Sequence, residues 1–315
     1  MEIASDFNTE MDTINKKEDI INKLKQLNIK YKLDEPLSRY TTLQIGGNGE
    51  FYIEPKTITE LSSVLKLGFS NKLPIFIIGA GSNLLISDNG LKGFIIRLRG
   101  DFEKIEFDTS TDECIVGAGV MLPFLIKRTI DMCYSGFEPL AGIPGTVGGA
   151  LVMNAGTKEG TISDNLVEVK TICMDGKVVS HTKQEIQFGY RKSSLEDKII
   201  IEAKFKLRHK LKEEIIKQVT KNLTERAKTQ PLGTLNAGSI FKNPENNFAG
   251  KLIEECNLKS FRIGGAIVSE KHANFILNTG NATSDDVFRL IFELRRRVYE
   301  KFKIKLELEI KLIGY

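Results

Sequence analysis

The order of apolar and polar positions divides this chain into stretches of different texture. Towards the C-terminus, Val287, Leu290, Ile291, Leu294, Val298 and Phe302 recur at helical spacing behind Thr283 or Ser284, either of which can cap the helix. Lys305 to Ile313 alternates instead. That pattern predicts a strand with Leu306, Leu308, Ile310 and Leu312 on the inner face and Glu307, Glu309 and Lys311 on the other. Near the N-terminus, Ile20, Ile21, Leu24 and Leu27 predict a packing helix over about Lys17 to Leu27, after a flexible lead-in over residues 1–15. From Pro36 to about Leu207 short apolar runs alternate with glycine turns, with a few helices such as Leu122 to Tyr134. Val167 to Met174 and Lys177 to Ser180, joined by Asp175-Gly176, predict a hairpin. A charged helix over about Lys212 to Lys228 runs into Gln230-Pro231-Leu232-Gly233, which places a domain boundary just upstream, and a further helix spans about Ala249 to Cys256.

The glycines are not spread evenly. Thirteen of 27 fall between Gly79 and Gly156, a concentration that points to one ligand. The first cluster is Ile77-Ile78-Gly79-Ala80-Gly81-Ser82-Asn83-Leu84-Leu85, behind an apolar run from Pro74 to Ile78 that reads as a buried strand. The second is Ala141-Gly142-Ile143-Pro144-Gly145-Thr146-Val147-Gly148-Gly149-Ala150, closing on Met153-Asn154-Ala155-Gly156. Glycine permits unusual dihedrals and close approach, so backbone N–H groups in such turns can cradle a phosphate. Two familiar phosphate motifs are excluded. No Lys-Ser or Lys-Thr follows the glycine run as in a P-loop, and Gly79-x-Gly81 does not open a helix as a dinucleotide fingerprint does. Phe94 to Leu98 predicts another strand, so the segment reads as strand, tight turn and return strand.

Composition narrows the function class further. With 315 residues, 41% hydrophobic and 27% charged, the chain has the make-up of a globular protein of two or three compact units. A net charge of +4 from 45 basic and 41 acidic residues, mixed along the chain, marks no nucleic-acid-binding domain. Cys114, Cys133, Cys173 and Cys256 lack metal-ligand spacing, which predicts buried free thiols in a reducing compartment and no metal site. The polar N-terminus and the absence of a long apolar run predict a cytoplasmic protein with no membrane association and no evident obligate protein partner.

The two glycine segments, together with Tyr190-Arg191-Lys192-Ser193-Ser194 and Gly238-Ser239-Ile240-Phe241-Lys242-Asn243-Pro244, resemble the UDP-N-acetylenolpyruvoylglucosamine reductases of peptidoglycan precursor synthesis. The resemblance runs from about Thr41 to Gly314, in the family's order, and His272-Ala273-Asn274-Phe275 is typical of its second, shorter form. It implies an α+β protein with three expected parts. These are the lead-in (1–15), a vanillyl-alcohol-oxidase-type FAD-binding domain of two subdomains (16–208) and a C-terminal α+β substrate-binding domain (209–315). The last strand would return a carboxylate to the flavin.

For the cofactor, the resemblance implicates Thr42, Gly79, Ala80, Gly81, Ser82, Asn83 and Leu84, with Gly142, Ile143, Pro144, Gly145, Thr146, Gly148 and Gly149. Some relatives of the fold attach flavin through a histidine in the first phosphate-binding region. The three histidines here, His181, His209 and His272, lie elsewhere in the sequence, so FAD is expected to be non-covalent.

The implied reaction adds a hydride from flavin N5 and a proton to the enol ether of a nucleotide-sugar, with NADPH as reductant. Arg191 matches the family's catalytic arginine. By residue type Lys192 is an equal candidate, although a planar bidentate donor suits a carboxylate better. Ser239 matches the proton donor, while its position beside Gly238 also suits a turn cap. Glu309 matches the C-terminal carboxylate, whereas alternation alone leaves Glu307 equivalent. Tyr190, Lys242 and Asn243 are implied substrate contacts, and Lys228 is a looser one. His272 reads as a structural hydrogen-bonding residue.

Overall fold

The computed structural model describes residues 16–315; the expected lead-in over residues 1–15 lies outside them. Three sheets carry the architecture. The first orders its strands Tyr31–Pro36, Asn48–Ile53, Leu91–Ile96 and Ile75–Ile77. Its first pair is antiparallel and the other two pairings are parallel. Helix α1 (residues 16–26) and helix α2 (Ile58–Ser70) contribute Ile20, Leu24, Leu61, Val64 and Leu65 to the core beneath it. The second sheet is antiparallel throughout, in the order Val178–Thr182, Leu166–Ile172, Ile199–Lys206, Glu113–Gly117 and Ile105–Asp108. Its expected hairpin is present, with Leu166–Ile172 paired to Val178–Thr182. Helix α3 (Leu122–Asp131) and the short helix α4 (Val147–Val152) share the same core.

The third sheet orders Asn236–Ser239, Phe275–Asn278, Ala266–Val268 and Arg262–Ile263. After helix α5 (Lys212–Thr229), helix α6 (Ala249–Glu255) and helix α7 (Ser284–Phe302) pack against it. Thr283 caps α7 through a reciprocal capping box with Asp286, satisfying backbone donors that the first turn leaves free. Val287, Leu290, Ile291, Leu294 and Val298 are buried as their spacing predicts, and each fully buried aliphatic side chain of this kind is worth about 1.5–3 kcal/mol. Helix α5 lies between the units. Asn222 on it donates to the Glu138 carbonyl at 2.8 Å, Val219 packs against the core of the second sheet, and Ile215 is buried.

Four local expectations are corrected. Ile75–Ile77 and Leu91–Ile96 are parallel neighbours, not a strand and its return. Leu84–Ile86 between them leaves the sheet and pairs in parallel with Lys311–Ile313. The run before Gly79 is only partly buried, Ile78 excepted, because Ile75 to Ile77 face a cavity. The C-terminal alternation yields a regular strand only over Lys311–Ile313, preceded by a single bridge between Leu308 and Phe241. Of the four free cysteines only Cys114 is fully buried, which pushes its thiol up to about 12. Cys173 is exposed because it stands at the turn of the hairpin, where its carbonyl accepts from the Gly176 N–H.

Candidate active site

Three chain segments close on one another to make the wall of a cavity of about 840 Å³, within the range typical of cofactor and ligand sites. Gly81 has φ +62°, and a Cβ on it would stand 1.9 Å from the Tyr40 carbonyl oxygen, so only glycine lets the loop reach this depth. The Thr42 N–H donates to the Gly81 carbonyl at 3.2 Å, and its hydroxyl donates to the Asn236 carbonyl at 2.6 Å. At Gly79 an added Cβ would lie 2.5 Å from Thr146 Oγ1. Thr146 in turn caps α4 by accepting from the Gly149 N–H, and Ser82 Oγ donates to the Pro144 carbonyl at 2.9 Å. The two glycine segments, distant in sequence, are thereby joined edge to edge.

Every residue expected at the cofactor lines this cavity: Thr42, the run Gly79 to Leu84, the run Gly142 to Thr146, Gly148 and Gly149. Several of them also hold the wall together. Asn83 donates its side-chain amide to the Glu309 carbonyl at 3.0 Å, and its own carbonyl accepts from the Lys311 N–H at 2.9 Å. A fit to FAD can be judged from the glycines themselves. An added Cβ would find no protein atom closer than 3.8 Å at Gly145 or 3.5 Å at Gly149, and only the Ser82 carbonyl at 4.0 Å at Gly238. At these positions no protein atom crowds the cavity wall closer than ordinary van der Waals contact, which leaves its backbone free for a ligand, and the cavity residues fit FAD.

Arg191, Ser239 and Glu309 line the same cavity. Arg191 stands at the tip of a short hairpin, Phe188–Gly189 with Lys192–Ser193, in the left-handed region at φ +56°. That conformation is unusual for a non-glycine residue and persists because the hairpin is anchored. Asn154 donates to the Gly189 carbonyl at 3.1 Å, and Ser193 Oγ donates to the Val152 carbonyl at 2.9 Å. Arg191 Nε donates to Glu309 Oε1 at 2.8 Å across 118 residues of sequence. Burial pushes the Glu309 carboxyl above the ordinary range, against the opposing pull of Arg191 and Lys242. Glu307 points away, its side chain 77% exposed against 15% for Glu309. Backbone pairing registers the site, because the Glu309 N–H donates to the Ile240 carbonyl at 2.8 Å, one residue beyond Ser239.

Tyr190, Lys242 and Asn243 do not line the cavity. Asn243 accepts from the Ala249 N–H at the start of α6, and its own N–H donates to Tyr190 Oη at 3.4 Å. Lys242 pairs with Glu307 at 3.6 Å. His272 also lies away from the cavity. Its Nδ1 accepts from the Asn274 N–H at 3.2 Å, and burial pulls its pKa down, so the ring is neutral near pH 7.

Arg226 lines the cavity and was not foreseen. A signal for it existed, since Ile215, Val219, Asn222 and Arg226 fall at helical spacing on the inner face of α5. The break at Gln230-Pro231-Leu232-Gly233 also forms part of the wall. Among the described residues no group of three or more His, Cys, Asp or Glu side chains is arranged to hold a metal ion. Nor is any helix among them long and apolar enough to cross a membrane.

A model of an FAD-binding domain matches residues 50–182, across both glycine segments and most strands of the two N-terminal sheets. The fold and cavity therefore define an FAD-dependent oxidoreductase. A second model, the C-terminal domain of UDP-N-acetylenolpyruvoylglucosamine reductase, matches residues 230–313. The reductase of that name from Alkaliphilus oremlandii is 41% identical over 285 residues, covering 90% of this chain and 93% of the relative. That from Prochlorococcus marinus is 42% identical over 289 residues, covering 91% and 99%. The crystal structure of the Thermus caldophilus enzyme aligns with a TM-score of 0.78 at 38% identity, covering 91% of this chain and 99% of that one. The chain belongs to the UDP-N-acetylenolpyruvoylglucosamine reductase family.

Proposed function

We propose that this protein reduces UDP-N-acetylglucosamine enolpyruvate to UDP-N-acetylmuramate in the cytoplasm, with NADPH as reductant and non-covalent FAD. On this reading residues 16–208 hold FAD and residues 209–315 close on the nucleotide-sugar. The observation that carries the proposal is the Arg191–Glu309 ion pair, assembled from two units in the wall of the cavity that Ser239 also lines. Bound FAD supplies the ability to accept a hydride from a nicotinamide and pass it to a carbon–carbon double bond.

The chain's own residues would do the rest. Arg191 offers a planar, fixed cation to the enolpyruvyl carboxylate and answers the negative charge that develops there as the double bond is reduced. Glu309 accepts from the guanidinium Nε and so fixes its orientation, leaving the terminal nitrogens for substrate. Ser239 gives its proton to the carbon next to the one that receives hydride; a carbanion beside a carboxylate is basic enough to take it. Tyr190, Lys242 and Asn243 would meet the nucleotide-sugar from outside the cavity, the Tyr190 ring backing Arg191 at 5.3 Å.

An anaerobic absorbance experiment tests the proposal. NADPH should bleach the bound flavin, and UDP-N-acetylglucosamine enolpyruvate should restore the oxidised spectrum with formation of UDP-N-acetylmuramate. Bleaching with no recovery on that substrate would refute the proposed acceptor, and a protein that takes up no FAD would refute the whole reading.

A further inference from the structure

Six basic side chains line the cavity, and Arg226 differs from the others in how it is held. Arg191 is paired with Glu309, Lys311 with Glu196, and Arg99 with Glu103. Arg97, half-buried, lies over the Tyr40 ring at 5.5 Å. Arg226 has no such answer. Its Nε is buried without a hydrogen-bond partner, and no carboxylate among the described residues lies within 4 Å of its guanidinium. Burial is the main influence lowering its pKa, followed by the charge of Arg191. The guanidinium is nonetheless charged at any working pH. It also bears on the second glycine segment, where a Cβ on Gly142 would lie 3.1 Å from Arg226 Nε. A partly buried charge with no acidic partner carries a desolvation cost, and a ligand that brings the opposite charge offsets it.

We propose that Arg226 supplies the counter-charge for the negative charge that two-electron reduction adds to bound FAD. The inference rests on the function proposed above and deepens it. NADPH gives up a hydride, two electrons with one proton, and leaves as NADP⁺; the cofactor then carries one more negative charge than before. That charge leaves when the hydride passes to the enolpyruvyl carbon and Ser239 protonates its neighbour. A cation fixed beside the cofactor favours the reduced state and so raises its potential. The argument for this anion over those of the substrate is position, since Arg226 abuts Gly142 in the segment assigned to the cofactor.

The test is the midpoint potential of FAD-loaded Arg226→Met and Arg226→Lys, set against a reference dye, with the affinity for oxidised FAD measured in parallel. Arg226→Met should weaken reduced FAD about tenfold more than oxidised FAD. For a two-electron couple that is a potential about 30 mV more negative. Arg226→Lys should recover most of the shift. A purely structural role would lower FAD content without moving the potential. Three results overturn the proposal. An unshifted potential with a raised KM for the nucleotide-sugar assigns the counter-anion to the substrate. Equal weakening of oxidised and reduced FAD assigns it to the cofactor's diphosphate. If Arg226→Met retains no FAD, Arg226→Gln is read instead, and an unshifted potential there overturns the proposal equally. Reoxidation of wild-type flavin by the enolpyruvyl substrate reports separately on the proposed function, so the two can fail independently.

Discussion

The cavity glycines fall into two kinds, and Gly149→Ala tests the distinction. Gly149 is exposed on the short helix α4, and a Cβ there would meet only Thr146 Oγ1, at an ordinary 3.5 Å. Alanine in a helix interior is favoured over glycine by about 0.5–1 kcal/mol. The protein stripped of FAD should therefore gain about that much stability in urea unfolding. If Gly149 touches FAD as proposed, the same methyl group would crowd that contact, and overpacking costs about 1–3 kcal/mol. At about 1.4 kcal/mol per factor of ten, FAD binding should weaken roughly 5- to 150-fold, read by quenching of flavin fluorescence. Gly81→Ala should behave oppositely. Its φ of +62° costs about 1–2 kcal/mol for an L-residue. Displacing the Tyr40 carbonyl 1.9 Å from the new Cβ adds about 1–3 kcal/mol, so the apoprotein itself should lose stability. A destabilised Gly149→Ala apoprotein, or one that binds FAD as tightly as wild type, would refute the reasoning.

The remaining predictions concern chemistry. Ser239→Ala should leave bleaching of flavin by NADPH nearly intact and slow reoxidation by the enolpyruvyl substrate about 10²-fold or more, by stopped-flow absorbance; equal loss in both halves would contradict a proton donor. Arg191→Lys should lower kcat despite keeping the charge, because the bidentate fork is lost; wild-type turnover would remove Arg191 from the reaction. Glu309→Gln should impair the second half-reaction far more than Glu307→Gln, since only Glu309 reaches Arg191. The Glu309 carboxyl is raised above its ordinary 4.5, so as pH falls it protonates before an exposed carboxylate would and the Arg191 pair is lost. The acid limb of kcat/KM should therefore lie above 4.5 and disappear in Glu309→Gln. Because the folded-state pKa is the higher one, protonating this group relieves a folding cost as pH falls through it. Activity should thus be lost on that limb without unfolding caused by Glu309.

How much of this was legible depended on the range of the interactions concerned. Helical spacing around Val287 to Val298 and the Thr283 cap are local patterns, and the chain folds there as the pattern requires. The glycine segments were legible as a ligand site because their composition departs sharply from that of the remaining chain. The motif blocks carried the family, and with it the nomination of Arg191, Ser239 and Glu309. Period-two alternation failed at Glu307 and Glu309, where the chain bends after the Leu308–Phe241 bridge. A pattern can assign faces only while the strand runs straight.

By itself the sequence determined what each stretch could form, and its resemblance to a family nominated residues for flavin binding and proton transfer. The tertiary structure decided which of those residues meet. Parallel pairing of Leu84–Ile86 with Lys311–Ile313 fastens the C-terminus to the first glycine segment, and only then can Glu309 reach Arg191. The positive φ of Arg191 follows from an anchored hairpin, and the burial of Arg226 Nε from a helix laid against the second sheet's core. These are consequences of long-range packing in three dimensions, where the local residue pattern carries no information about the partner.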